Sequence, residues 1–303
     1  MGLFELFRKK PAVAARPVAR PLLRPAGAGL APHPEPKASN HFVIVILDSC
    51  RWDTFLEAEP RTIMKLGPVE KRFSYASWTA PSHYNLLTGL LPHTTPPHVY
   101  ASEYYKEDFF NYNKRLGAKG IEFAKMVPAL WLPGFLRNTL GYRTHARVSL
   151  PVLNPRTGIN RDFDSFQLMD KHNDMAAMLP TLEFKSDRPS FYLLNVGETH
   201  YPYAKPDEDS SMWPRISGVN GVFKQLGAQA DQEKLDQLRA RQVETVRYLD
   251  GVFEKLYDMV PDNTWIIVTS DHGELFGEGG YFGHGPIQHD KVYEVPFLEG
   301  KVR

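Results

Sequence analysis

Acidic residues and histidines close three separate apolar runs of this sequence. In "VTSDHGELFGEGGYFGHG" (268–285), Asp271 and His272 end the run "TWIIVTS", and His284 follows a glycine-rich stretch. "VILDSCRWD" sets Asp48 just past "HFVIVIL", and "NVGETHYPY" sets Glu198 and His200 just past "FYLLNVG". Two carboxylates with a neutral imidazole suit a divalent cation of the zinc or manganese type, and the carboxylates also suit magnesium or calcium. A set of Asp48, Asp271 and His272 leaves a coordination position open, as catalysis requires.

A hydroxyl that could fill that position lies in "YASWTAPSHYNLLTGLLPH" (75–93), where Thr79 precedes a helix expected around Leu86 and Leu87. Backbone N–H groups and the positive dipole end at a helix start favour an anion such as phosphate or sulfate. Coordination would lower the hydroxyl pKa and make Thr79 a nucleophile. The plainer alternative is that Thr79 only caps the helix.

The elements that must position these groups follow from the hydrophobic pattern. Residues 41–47, 191–197 and 264–270 are continuous, β-branched apolar runs of the kind buried on both sheet faces. Between the last two, residues 231–260 repeat Leu235, Leu238, Val243, Val246, Leu249, Val252, Phe253 and Leu256 at helical spacing. Buried strands alternating with amphipathic helices predict a mainly parallel sheet covered on both sides, with ligands at the carboxyl ends of the strands. The expected fold class is therefore α/β, with a mainly parallel, mixed central sheet.

Composition narrows the function classes. With 42% hydrophobic and 23% charged residues, the 303-residue chain is expected to be globular, and one large domain suits its length. A formal net charge of +1 offers no field for nucleic acid, and no nucleic-acid-binding motif occurs. The single cysteine, Cys50, excludes an internal disulfide framework and points to a reducing, cytoplasmic compartment. Neither a signal peptide nor a membrane-spanning apolar run is present, and Leu6 breaks the myristoylation pattern. Residues 1–40 carry seven Lys/Arg against two acids, and seven prolines. They are expected to form a disordered basic tail that acts as a linker, with contact to a partner or membrane surface through Leu3, Phe4, Leu6 and Phe7 beside "RKK" as the alternative, ahead of a catalytic domain at 41–303.

Seven ordered segments, "ILDSCRWD", "TAPSHYNLLTGLLPH", "LGYRTHARVS", "RDFDSF", "THYPY", "VRYLDGVFEKL" and "SDHGELFGEGGYFGHG", resemble the alkaline phosphatase superfamily, in particular its sulfatase-like branch, over about residues 41 to 298. Sulfatases make a formylglycine from Cys or Ser in a Cys/Ser-x-Pro-x-Arg motif. The matching positions here are Thr79, Ala80, Pro81, Ser82 and His83, so the convertible residue and the Arg are both missing. Cys50, followed by "RWD", does not replace them. A Thr nucleophile resembles instead the phosphoethanolamine transferases, lipoteichoic acid synthases and nucleotide pyrophosphatase/phosphodiesterases. The resemblance implies that Asp48, Thr79, Asp271 and His272 hold one divalent metal ion (Mn, Zn, Mg or Ca), while His284 serves the phosphoryl oxygens or the leaving group. A second metal through Glu198, His200 or His284 is the lesser alternative. The family's smaller C-terminal subdomain is expected to be absent, with "VYEVPFL" as the last strand of the main sheet.

Further expectations attach to single residues. His200 is a contact for the substrate or leaving group, His83 a donor to an oxyanion, and Glu198 and Lys291 contacts for substrate. Arg51 and Asp53 are expected to form a structural ion pair, "HTTPPHVY" (93–100) a rigid turn, and the aromatic stretches at 103–116 and 126–136 part of the core. Together these predict a metal-dependent hydrolase or transferase acting on a small-molecule or lipid-headgroup phosphoester through a covalent phosphothreonine. The alternatives are a sulfatase working without formylglycine and a non-catalytic binding protein of the same fold.

Overall fold

The computed structural model describes residues 26–27, 29–94, 101–185, 187–209, 211, 213–216, 223–226 and 231–302. The strand β1 (His41–Leu47) is buried along its whole length, and so are β5 (Ser190–Val196) and β7 (Thr264–Thr269). Together they form the centre of a seven-stranded sheet in the order β2-β10-β7-β1-β5-β3-β4, in which β2 is Glu70–Phe73, β3 Arg143–Val148, β4 Ser165–Leu168 and β10 Glu294–Lys301. The pairs β7-β1, β1-β5, β5-β3 and β3-β4 are parallel. Strand β10 runs antiparallel to both β7 and β2, so the sheet is mixed and mainly parallel.

Alternation along the central strands fills two cores. Phe42, Ile44 and Ile46 point to one face of the sheet, Val43, Val45 and Leu47 to the other. The first face is covered by α2 (Thr79–Leu87), α3 (Ala101–Leu116), α4 (Phe123–Met126) and α5 (Leu132–Leu140). Phe109, Tyr112, Met126, Trp131 and Phe135, from the two aromatic stretches, are buried there. The second face is covered by α1 (Trp52–Ala58), α6 (Met175–Met178) and the 28-residue α7 (Gln232–Met259). Asp231 caps α7 by accepting from Lys234 N, and its stripe from Leu238 to Leu256 is buried. Among the described residues, no helix is long and apolar enough to cross a membrane.

A small sheet of β6 (Phe223–Gln225), β9 (Tyr281–Gly283) and β8 (Leu275–Phe276) lies beside the main one, over a cluster that includes Tyr203, Leu235, Leu238, Phe276 and Phe282. The short α8 (Asp290–Tyr293) leads into β10, which contains the "VPFL" of the expected last strand.

The tail expected over residues 1–40 falls mostly outside the described residues, since 1–25 are not among them. From Gly27 onward the backbone touches the domain body. Gly27 N donates to Phe163 O at 3.0 Å, Lys37 N to Leu140 O at 3.0 Å, and His33 Nε2 lies 2.9 Å from Asp164 Oδ2. The close approach of this segment needs Gly141, whose φ of 78° ends α5 and where a Cβ would come within 2.8 Å of Pro34 O. The expected turn at 93–100 is described only through Thr94, and there His93 pairs with Phe73 in an isolated bridge.

Candidate active site and metal centre

The carboxyl ends of β1 and β7 lie side by side, because His41 to Ile46 pair in parallel register with Thr264 to Thr269. The next residues on each chain are therefore neighbours, and they are Asp48, Ser49, Ser270, Asp271 and His272. Ser49 takes a left-handed backbone, with φ of 62°, and its N–H donates to Asp271 Oδ1 at 3.1 Å. A non-glycine residue held there stores on the order of 1–3 kcal/mol of strain, a cost typical of functional turns. Ser270 Oγ accepts from Cys50 N at 3.0 Å and lies 2.6 Å from Leu47 O, stapling the two strand ends together.

Each of the three candidate ligand side chains is held by at least one hydrogen bond. His272 Nδ1 donates to Gly273 O at 2.9 Å, which fixes the tautomer and leaves the Nε2 lone pair free. Asp271 Oδ1 accepts from Ser49 N and His272 N, while its Oδ2 is buried with no hydrogen-bond partner, 3.3 Å from His272 Nε2. Asp48 Oδ2 accepts from Asn195 Nδ2 at 2.8 Å. Thr79 Oγ1 reaches Asp48 Oδ1 at 3.4 Å and His272 Nε2 at 3.3 Å. Thr79 is the first residue of α2 and its side chain turns to these groups instead of capping the helix, so the simple capping expectation is corrected.

Among the described residues, Asp48, Asp271 and His272 are the group whose ligand atoms converge, within 4.8 Å of one another, at metal-binding spacing. All three are essentially inaccessible to solvent. Burial pushes Asp271 up to about 7, and burial followed by the Asp271 charge pushes Asp48 up. Burial also holds His272 down to about 3. Two dry carboxylates side by side, an orphaned Asp271 Oδ2 and an imidazole held neutral form a donor set that a divalent cation satisfies.

The sequence matches the Sulfatase family over residues 40–298. This chain belongs to the Sulfatase family. Its fold is similar to the C-terminal periplasmic domain of EcEptC from Escherichia coli in complex with Zn, at 14% identity and a TM-score of 0.52, covering 90% of this chain and 77% of that one. The soluble domain of lipooligosaccharide phosphoethanolamine transferase A from Neisseria meningitidis matches at 14% identity and 0.52, covering 89% and 80%. A 2-O GAG sulfatase matches at 13% identity and 0.51, covering 86% of this chain and 64% of the other. No curated protein matches the sequence.

In this Sulfatase-family chain, two of the remaining expected residues join the centre. The His284 ring lies 4.2 Å from that of His272, and the His200 ring lies 5.5 Å from that of His284, centroid to centroid. His200 Nδ1 donates to Tyr201 O at 2.8 Å, so its Nε2 is left free.

Three others are placed differently from the expectation. His83 Nδ1 donates to Thr79 O at 2.8 Å and its Nε2 accepts from Asn195 Nδ2 at 3.3 Å. Both nitrogens are engaged, and burial holds the ring down to about 4, so His83 supports the site from below and does not face an oxyanion. Glu198 turns away: Oε1 accepts from Met175 N at 2.7 Å, at the start of α6. Lys291 Nζ donates to Asp53 Oδ2 at 3.1 Å and joins the ion pair in which Arg51 Nη2 meets Asp53 Oδ2 at 2.6 Å. The Arg51–Asp53 pair therefore exists as expected, and Lys291 joins it.

Sequence reasoning missed three buried polar residues that hold the site. Asn195 bridges Asp48 and His83, and its Oδ1 accepts from Ser149 N and Leu150 N, both at 3.2 Å. Gln242 reaches from α7 to Ser49 O at 2.9 Å and Thr199 O at 3.0 Å, joining the ends of β1 and β5. Glu274 meets His284 Nδ1 at 3.0 Å. The signal for the first two was a polar residue inside an apolar run or stripe, "FYLLNVG" and the buried face of α7. Glu274 sits two residues beyond His272, in plain view.

Proposed function

We propose that this chain is a metal-dependent hydrolase or transferase of phosphoesters with Thr79 as its nucleophile. The observation that carries the proposal is the Thr79 hydroxyl, buried at the start of α2 and within 3.4 Å of both Asp48 and His272, in a family whose usual convertible Cys or Ser has no counterpart at that position. Asp48, Asp271, His272 and Thr79 would hold the cation. When bound, it supplies positive charge that lowers the hydroxyl pKa and offsets charge on the phosphoryl oxygens.

The rest of the chemistry belongs to the chain itself. Thr79 Oγ1 attacks phosphorus in line, and the bond to the leaving alcohol breaks with its electron pair on the departing oxygen. The proton that Thr79 gives up is taken by the Nε2 of His284 or His200, which then passes it to the departing oxygen. The N–H groups in the first turn of α2 favour the phosphoryl anion beside Thr79. Water or an acceptor alcohol then releases the group from the phosphothreonine. The structural likeness to the Neisseria lipooligosaccharide phosphoethanolamine transferase supports a lipid-headgroup ester as the substrate class. A second reading, sulfate ester hydrolysis by the same hydroxyl without formylglycine, draws on the family itself.

The test is metal analysis combined with turnover of p-nitrophenyl phosphate, bis-p-nitrophenyl phosphate and p-nitrophenyl sulfate by wild type, Thr79→Ala and Asp271→Ala. Phosphate-ester turnover lost in both variants supports the proposal. Turnover of the sulfate alone favours the second reading, and a chain that binds no divalent metal overturns both in favour of a binding protein.

A further inference from the structure

Gln242 is a buried amide in a largely apolar stripe. It stands between Leu238 and Val246 on the buried face of α7, and its side chain is closed to solvent. An apolar residue would continue the stripe, and a buried amide is costly unless its donors and acceptors are bonded. Here every bonding position is taken. Nε2 donates to Ser49 O at 2.9 Å and to Thr199 O at 3.0 Å, while Oε1 accepts from Thr54 Oγ1 at 2.6 Å and from Arg51 N at 3.3 Å. Carbonyls only accept and a backbone N–H only donates, so the amide fits one way round.

Those contacts converge on the two turns that carry the site. Ser49, in its left-handed conformation, donates through its N–H to Asp271 Oδ1 at 3.1 Å and through its hydroxyl to Asp48 Oδ1 at 3.2 Å. The peptide unit that follows it is gripped at both ends, its O by Gln242 Nε2 and its N–H, that of Cys50, by Ser270 Oγ at 3.0 Å. A peptide unit is planar, so holding both ends stops it rotating and keeps Ser49 in a conformation it would otherwise leave. On the second turn, the Thr199 hydroxyl donates to Asp48 O at 2.8 Å, and His200 is the next residue. One side chain of α7 therefore joins the end of β1, the end of β5 and the first turn of α1.

We infer that Gln242 is a positioning residue for the metal centre: it holds the turn after β1 against the turn after β5, and so keeps Asp48 and Asp271 at ligand spacing. The inference rests on the metal-centre reading of Asp48, Asp271 and His272. Without the amide, the Ser49 carbonyl loses its donor, the turn relaxes toward ordinary backbone angles, and the Ser49 N–H swings off Asp271. Helix α7 supplies no ligand, yet through Gln242 it sets the ligand geometry.

Two measurements on the full chain test this, each comparing Gln242→Met with Val246→Ala. The first variant keeps the length of the side chain and removes the amide; the second loosens the same buried stripe one turn on, at a residue that bonds to neither turn, and so reports general destabilisation. In a cobalt(II) titration, Gln242→Met should bind about 10- to 100-fold more weakly and shift the visible absorption bands of the bound ion, while Val246→Ala keeps the wild-type affinity and bands. In the metal-free chain, hydrogen exchange at the Ser49 N–H should quicken about 10-fold or more in Gln242→Met and stay unchanged in Val246→Ala. Wild-type cobalt affinity and bands in Gln242→Met, or equal changes in both variants, overturn the inference. Gln242→Leu, which continues the apolar stripe, takes the place of the Met variant if that one does not fold. A wild type that binds no cobalt fails the metal-centre reading instead, and the Ser49 exchange rate then decides the role of Gln242 by itself: an unchanged rate overturns it.

Discussion

Asn195 donates through Nδ2 to Asp48 Oδ2 at 2.8 Å while its own Oδ1 accepts two backbone N–H groups, from Ser149 and Leu150. The amide therefore has one orientation, and the remaining Asp48 oxygen is turned toward Thr79 and His272. Replacing Asn195 with Leu strips a donor from Asp48 and leaves Leu150 N and His83 Nε2 unpaired, while Ser149 N keeps its bond to the main-chain O of residue 195. Thermal or urea unfolding should register a loss on the order of 3 kcal/mol, and metal titration a loss in affinity of about 10- to 100-fold. Unchanged metal affinity in a folded variant would remove Asn195 from the site.

Thr79→Ala deletes a hydroxyl whose hydrogen-bond partners are the metal-site residues Asp48 and His272. The fold should survive, with circular dichroism and melting close to wild type, while kcat drops by about 1,000-fold or more. Thr79→Ser, which keeps a hydroxyl at the start of α2, should retain measurable turnover. A fully active Thr79→Ala would rule the nucleophile out.

Chelation should destabilise the protein. Without a cation, Asp48 and Asp271 confront each other at 0% and 1% exposure. A ligand present at 100 times its Kd adds about 2.7 kcal/mol to stability, so EDTA should lower the melting temperature by several degrees and a divalent metal should restore it. Asp271→Asn should blunt this response. Melting that ignores both chelator and metal would contradict the metal centre.

Glu198 turns to Met175 N at the start of α6, and burial is the largest influence on its titration. Desolvation pushes its carboxyl up to about 7, and its Oε2 is buried without a partner. Since the folded-state pKa is raised, the folded form holds a proton that the unfolded chain releases from about pH 4.5 upward. Stability should therefore fall between about pH 4.5 and 7 from this group and level off above that range. Glu198→Gln should flatten the decline and melt higher than wild type at pH 8. A Gln variant with the wild-type pH slope would assign the effect elsewhere.

The central strands and α7 were legible because their patterns are local. A seven-residue apolar run and a stripe recurring every three or four residues carry their structure within a short window. The edge strands β2 and β4 were not, since four half-exposed residues such as "EKRF" and "SFQL" become strands only against β10 and β3. The same limit explains Lys291 and Glu198. Lys291 stands near the end of the chain, yet its partner Asp53 lies 238 residues away.

From the sequence alone came the α/β class, the strand ends bearing Asp48 and Asp271-His272, the Thr79 hydroxyl at a helix start and the lack of a convertible Cys or Ser in its motif. Those properties follow from residue type and from neighbours in the chain. The tertiary structure decided which way each side chain turns. Parallel register between β1 and β7 aligned two acids 223 residues apart in the chain, and packing against β5 and α7 brought Asn195 and Gln242 beneath them. It turned Glu198 toward α6 and brought Glu274 behind His284. Orientation of this kind is set by the pairing of distant strands and by the need to satisfy every buried polar atom, and neither constraint is contained in any short stretch of residues.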